Sequence, residues 1–272
     1  MAADFGPLVA ADWLAAHLDE VHVVDVRWYL KGPRTGWDAY CEGHVPGAVW
    51  LDVDTDLSAP ASPQAGRHPL PTEAAFAAAL ARKGVSEGRP VVAYDDAGGS
   101  VAARLWWLLH VIGQPAAVLD GGLAAWTDAS GELSTAIPSP VPAERAVRPW
   151  PAHRFVTADQ LATTQAAVFD ARSAERYADG DQSIDPRPGH VPGAHSAPWA
   201  ENLDAESRFL PPDVLRHRYA KAAAGAIAYC GSGVTACHDL LAMTVAGLTD
   251  LALYPGSWSQ WGADPQRPAE VG

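Results

Sequence analysis

The chain of 272 residues is long enough for two domains of ordinary size. Apolar residues make up 48 % and charged residues only 19 %, which supplies a core for each half and excludes a disordered chain. The formal net charge of −13 argues against nucleic acid and anionic membrane as partners, because both demand basic surface; a small anionic ligand stays open, since a few arginines can make a local positive pocket.

No run approaches the ~20 continuous apolar residues of a membrane span. Residues 1–20 contain Asp4, Asp12, Asp19 and Glu20 and lack the basic start, apolar run and cleavage pattern of a secretory leader. The three cysteines, Cys41, Cys230 and Cys237, form an odd and sparse set that suits free thiols in a reducing cytoplasm. None has zinc-ligand spacing, so no metal is expected.

In chain order, residues 21–26 form a short apolar run around Asp25, the pattern of a buried strand. Residues 43–48 then read Gly-His-Val-Pro-Gly-Ala. Residues 72–83 are alanine-rich and helical, stopped by Gly84. Residues 91–94 are a second buried strand, followed by glycines and a helix over 101–111; residues 118–119 begin a third strand before a glycine turn. Five prolines between residues 138 and 151 mark an extended linker, so the domains are expected over 1–140 and 150–272.

The second half repeats the first. Thr157 and Gln160 fit a capping box at a helix start. Strands are expected at 168–170, 226–229 and 251–254, with a helix over 234–246. Gly-His-Val-Pro-Gly-Ala returns at 189–194, and Asp25-Val26-Arg27 is matched by Asp170-Ala171-Arg172. Tyr94-Asp95 is matched by Tyr229-Cys230, and Trp126 by Trp261. This order of anchors means a duplication. Alternating strand and helix in each copy predicts an α/β fold with a mostly parallel sheet flanked by helices, and a ligand site beyond the carboxyl ends of the strands.

The chemistry concentrates at Cys230-Gly231-Ser232-Gly233-Val234-Thr235. Cys230 stands between a strand and a helix start. Two glycines let successive amides curl inward as an anion nest, and the helix terminus adds its positive end; both favour a negatively charged sulfur. An isolated cysteine before a turn is more often structural, but this position reverses that expectation.

The string Cys-Gly-Ser-Gly-Val-Thr-Ala resembles the active-site loop of 3-mercaptopyruvate sulfurtransferases of the rhodanese superfamily. The resemblance covers nearly the whole chain, including Asp25-Val26-Arg27-Trp28, both histidine turns, and Leu119-Asp120-Gly121-Gly122 and Tyr254-Pro255-Gly256-Ser257-Trp258 with their tryptophans. It implies two tandem rhodanese-like domains, the first an inactive copy because Asp95 replaces the cysteine. It implies a Cys230 persulfide, loaded from 3-mercaptopyruvate and discharged to a thiol acceptor, such as a thioredoxin-like protein, or to cyanide, without cofactor. The loop Gly231, Gly233, Val234 and Thr235 would bind substrate, and so would Arg176 and Arg187, although the spacing of Arg187 to Gly189 departs from the family pattern. Ser232 is a candidate for a proton relay with His44; the relay's aspartate has no match, Thr35 falling near its place, with Asp38 as a candidate. His44 is equally a candidate for holding its turn, the role expected of His190. Cys41 and Cys237 read as packing residues, and Arg172 as structural.

Three rivals remain. A thiosulfate sulfurtransferase is nearest, but residues 231–235 lack the basic side chains expected of one. A cysteine phosphatase needs an arginine closing the loop, where this chain has Ala236. A non-enzymatic carrier or interaction module leaves the cysteine loop and its arginines unexplained.

Overall fold

The computed structural model describes residues 6–272, so the first five residues of the expected leader-free terminus lie outside the described residues. The chain forms two compact units. Unit 1 holds the described residues up to Leu57, then Pro71–Pro149 and Ala205–Phe209; unit 2 holds Ser58–Leu70, Trp150–Asp204 and Leu210–Gly272. The change of unit after Pro149 falls within the proline stretch, but two short segments belong to the unit opposite to their neighbours in sequence.

Unit 1 runs β1 (Leu8–Val9), α1 (Ala11–Ala16), β2 (His22–Asp25), α2 (Gly36–Glu42), β3 (Val49–Trp50), α3 (Glu73–Arg82), β4 (Val91–Tyr94), α4 (Ala102–Val111), β5 (Ala116–Leu119) and α5 (Gly122–Asp128). Its strands pair in parallel in the order β1-β5-β4-β2-β3. Unit 2 runs α6 (Ala158–Ala162), β6 (Ala167–Asp170), α7 (Ala174–Ala178), β7 (His195–Ser196), α8 (Pro212–Arg218), β8 (Ala226–Tyr229), α9 (Ala236–Val245), β9 (Leu251–Leu253) and α10 (Ser257–Trp261). Its strands are also parallel, in the order β7-β6-β8-β9. The central strands are buried on both faces, which is why they read as continuous apolar runs. Tyr94, Leu119 and Trp126 anchor one core, and Tyr229, Trp258 and Trp261 the other. Among the described residues no helix is long and apolar enough to cross a membrane.

The repeat extends to the polar interior. Arg27 grips Asp25 through Nε and Nη2 and donates to the Gly43 carbonyl at 2.7 Å. Arg172 does the same with Asp170 and the Gly189 carbonyl, at 2.8 Å. The Tyr94 hydroxyl accepts from Val45 N–H, and the Tyr229 hydroxyl from Val191 N–H. These pairs pin each histidine turn to the sheet, so Arg172 is structural. The capping box at Thr157 and Gln160 is present, with reciprocal bonds of 2.8 and 3.2 Å.

Candidate active site

β8 ends at Tyr229, and Cys230 follows with 1 % of its surface exposed. Its main chain is clamped by the start of α10. The Cys230 carbonyl accepts from Trp258 N–H at 2.9 Å, its N–H donates to Ser257 Oγ at 3.1 Å, and the Gly231 carbonyl accepts from Ser259 N–H at 2.9 Å. Gly233 lies at φ +83°, and a Cβ there would stand 2.6 Å from the Pro255 carbonyl oxygen; only glycine fits. The loop thereby turns its amides inward. Gly233 N–H donates to Cys230 Sγ at 3.1 Å and Ser232 N–H at 3.5 Å. Val234 and Thr235 open the first turn of α9 through their carbonyls, which accept from Cys237 and His238 N–H. The Cys237 thiol donates to the Gly233 carbonyl at 3.4 Å, bracing the loop from behind.

Gly231 is glycine for a different reason. Its backbone is not left-handed, yet a Cβ there would lie 2.7 Å from Arg176 Nη2 and 2.8 Å from Arg67 Nη2. The missing side chain leaves space that two guanidinium groups occupy. Arg176 is held by Asp185 through Nε (2.9 Å) and Nη2 (2.5 Å). Arg67 comes from the 58–70 segment and donates through Nη1 to the Ile184 carbonyl at 2.5 Å. Burial pushes its pKa down, while the Cys230 sulfur pulls it back up.

The same segment supplies His68, whose Nδ1 lies 2.8 Å from Ser232 Oγ, both side chains being buried. This replaces the expected pairing of Ser232 with His44. His44 is in unit 1, with Nδ1 on the Tyr40 carbonyl at 2.8 Å and Nε2 on the Ala136 carbonyl at 3.2 Å. Its twin His190 makes the matching bond to the Tyr177 carbonyl, and each ring stacks on that tyrosine. His44 therefore holds its turn. Asp38, the candidate acid for a relay, closes a capping box with Thr35. Arg187 is corrected too: its Nη2 donates to the Arg267 carbonyl at 2.6 Å and its guanidinium lies against the Trp258 ring, so it ties down the C-terminal segment. Arg67 and His68 were missed because Gly66-Arg67-His68-Pro69-Leu70-Pro71 has no strand or helix period; its one sequence signal is two adjacent basic residues bounded by glycine and proline.

In unit 1, Asp95 takes the place of Cys230. One carboxylate oxygen accepts from Ala97 and Gly99 N–H, the other from Val101 and Ala102 N–H, all at 2.8–2.9 Å. Burial raises its pKa against the pull of these four amides.

Two parallel α/β units, each with an amide nest at the end of a central strand, define the class of protein. The model of the rhodanese-like domain matches residues 10–129 and again 157–264, and the chain belongs to the rhodanese family. A relative from Pseudomonas aeruginosa, named for 3-mercaptopyruvate sulfurtransferase activity, is 42 % identical over 97 % of this chain and 98 % of its own length. One from Mycobacterium tuberculosis, named for thiosulfate sulfurtransferase activity, is 37 % identical over 93 % of this chain and 92 % of its own. The solved structure of 3-mercaptopyruvate sulfurtransferase from Leishmania major matches with a TM-score of 0.84 at 33 % identity, covering 94 % of this chain and 74 % of that one.

Proposed function

We propose that this protein is a sulfurtransferase that moves a sulfane sulfur from 3-mercaptopyruvate, through a persulfide on Cys230, to a thiol or cyanide. The observation that carries the reading is the buried Cys230 sulfur, held by two loop amides beside the guanidinium of Arg176. The Cys230 thiolate attacks the donor sulfur. The carbon–sulfur bond breaks, its electron pair leaves as the enolate of pyruvate, and a sulfur–sulfur bond forms on Cys230. The enolate then takes a proton. Ser232, oriented by His68, is the group placed to pass that proton. The amides of Ser232 and Gly233 stabilise negative sulfur before and after the step. Arg176, pre-aligned by Asp185, receives the donor carboxylate. In the acceptor step a thiolate or cyanide attacks the outer sulfur, the sulfur–sulfur bond breaks, and Cys230 leaves as the thiolate. A thioredoxin-like dithiol protein in the cytoplasm is the acceptor this chemistry suits.

Initial rates with mercaptopyruvate and thiosulfate, measured with one acceptor, test the donor assignment. Mercaptopyruvate is expected to give the higher kcat/KM. Arg176→Ala should lower that value by about one to two orders of magnitude, the worth of a hydrogen bond to a charged group. Superior turnover of thiosulfate by the parent would move the assignment to thiosulfate sulfurtransferase.

A further inference from the structure

The segment that carries His68 is fastened to the helix that clamps the nucleophile. Residues 58–70 fold as a narrow hairpin within unit 2: Ala59 N–H donates to the Pro69 carbonyl at 3.0 Å, and Ser62 and Gly66 exchange main-chain bonds of 3.1 and 2.8 Å. Two side chains of α10 hold this hairpin. Ser259 Oγ accepts from Arg67 N–H at 3.0 Å, and Gln260 Nε2 donates to the Gln64 carbonyl. The Gln260 amide is fixed at its other end as well, where Oε1 accepts from the Tyr254 hydroxyl at 2.8 Å. Gly256 makes room for it. The backbone of Gly256 is right-handed, so any residue could adopt it, yet a Cβ there would overlap Gln260 Oε1 at 1.8 Å.

One short helix therefore sets two things at once. Its main chain grips the Cys230 loop, through Trp258 and Ser259 N–H on the Cys230 and Gly231 carbonyls. Its side chains grip the hairpin that places His68 Nδ1 2.8 Å from Ser232 Oγ. The repeat shows the second grip to be an addition. In unit 1 the main-chain clamp is made by Leu123, but counted from Trp126 and Trp261 the partners of Ser259 and Gln260 are Ala124 and Ala125, whose side chains can neither donate nor accept. Resting on the sulfurtransferase reading above, we infer that Ser259 and Gln260 are positioning residues: they lock the hairpin in register with the Cys230 loop, so that His68 orients Ser232 for the proton that the pyruvate enolate takes up. Both act through His68, and the Arg67 guanidinium keeps its own bond to the Ile184 carbonyl without them.

The test measures kcat and KM for mercaptopyruvate, with one thiol acceptor, in Ser259→Ala and Gln260→Ala, each alone and on a His68→Ala background. Neither substitution removes a main-chain bond to the Cys230 loop, and a thermal midpoint reports folding. Ser259→Ala should lower kcat by ~10- to 100-fold with KM within ~threefold of the parent, since displacing a proton-transfer group by about 1 Å costs up to about a hundredfold. Gln260→Ala, which removes the more exposed tie, should lower it by ~3- to 10-fold. On the His68→Ala background either change should alter kcat by less than ~twofold, because nothing remains to be positioned. A kcat within twofold of the parent in both single variants overturns the inference. So does an equal fold loss on the two backgrounds, which would make the side chains supports of the loop itself, and so does a His68→Ala variant as fast as the parent. Should Ser259→Ala not fold, Gln260→Ala decides by the same criteria. Failure of mercaptopyruvate to load sulfur on parent Cys230, read by intact mass, removes the sulfurtransferase reading instead, a distinct result.

Discussion

The loops that follow β4 and β8 are built on one plan and filled with different side chains. After β4, the Asp95 carboxylate accepts from four backbone N–H groups. After β8, the Cys230 sulfur takes two, and Gly231 keeps space for Arg67 and Arg176. The main-chain clamp is shared: Leu123 N–H donates to the Asp95 carbonyl at 2.8 Å, and Trp258 N–H to the Cys230 carbonyl at 2.9 Å. An amide nest demands an anion because unpaired buried N–H groups are costly. A carboxyl group held by its amides makes the nest part of the fold, whereas a sulfur in the same place can also accept and release an atom.

The largest effect expected from breaking this contrast is at the nucleophile. Cys230→Ser should reduce transfer by at least about a thousandfold, since a hydroxyl forms no persulfide. Cys41→Ser and Cys237→Ser should keep most of the activity; the Cys237 thiol meets the loop at the Gly233 carbonyl, away from the amides that hold the Cys230 sulfur. Intact mass after donor treatment should show one thiol-removable sulfur on the parent and none on Cys230→Ser. A sulfur that persists in that variant would assign the carrier to another residue.

The parts of this plan that were legible in the sequence are those carried by long-range regularities. The central strands read as apolar runs because both faces are covered, and β4 and β8 match their expected bounds of 91–94 and 226–229. The nest was legible from Gly231 and Gly233 following a cysteine between strand and helix. Strands β1, β3 and β7 are two residues each, too short to carry any period. The helix before the second histidine turn shrinks to Ala174–Ala178, and α9 starts at Ala236, two residues later than expected, because residues 234 and 235 are spent in the turn. Side-chain direction was the other blind spot. Arg187 lies near the right segment in sequence, yet its fork faces Arg267 and Trp258. His68 and Arg67 lie in the first half of the chain, and only the fold assigns them to the compact unit of Cys230.

The helices behind the two loops sharpen the comparison further. Asp239 on α9 stands where Arg104 stands on α4 by the same repeat, and both are fully buried. Burial raises the Asp239 pKa to about 7, opposed by its bonds from Asn202 and Tyr219 and by the charge of Arg218. The unfolded value is near 3.8, so the folded protein keeps this proton while the unfolded chain loses it. The stability contributed by the protonated form is therefore full below about pH 4 and is lost as pH rises through about 7. The span corresponds to at most ~4 kcal/mol at ~1.4 kcal/mol per pH unit. Asp239→Asn should remove this slope, so that its thermal midpoint gains on the parent between pH 4 and 7.5. A difference between the two that stays constant with pH would show that Asp239 does not titrate there. Asp95→Asn turns an amide NH2 toward two backbone donors and should cost ~2–6 kcal/mol of stability in unit 1, from two buried donors left unsatisfied at ~1–3 kcal/mol each. The rate of the folded protein should remain within a few-fold of the parent. A loss as deep as that of Cys230→Ser would give the Asp95 loop a part in the chemical step.

The smallest expected effect lies where the two clamps differ by one side chain. Gly122 sits at φ +58°, and its repeat partner Ser257 at φ +52°. The left-handed region is natural for glycine and costs a serine about 1 kcal/mol or more. The gain is specific to unit 2: Ser257 Oγ accepts the Cys230 N–H at 3.1 Å and donates to the Tyr254 carbonyl at 3.0 Å. The hydroxyl thus fixes the main chain of the nucleophile, at the expense of backbone strain that Gly122 does not carry. Ser257→Gly relieves the strain and loses the two bonds, each worth ~0.5–1.5 kcal/mol, so its thermal midpoint should stay close to that of the parent. Ser257→Ala loses the same bonds and keeps the strain, so it should be the less stable variant. In both, kcat should fall by about three- to tenfold with KM changed less than twofold, because a looser Cys230 reaches the attacking geometry less often. Matching kinetics in the two variants at different stabilities would separate positioning from folding. Full activity in Ser257→Gly would leave the Cys230 clamp to the Trp258 and Ser259 amides alone.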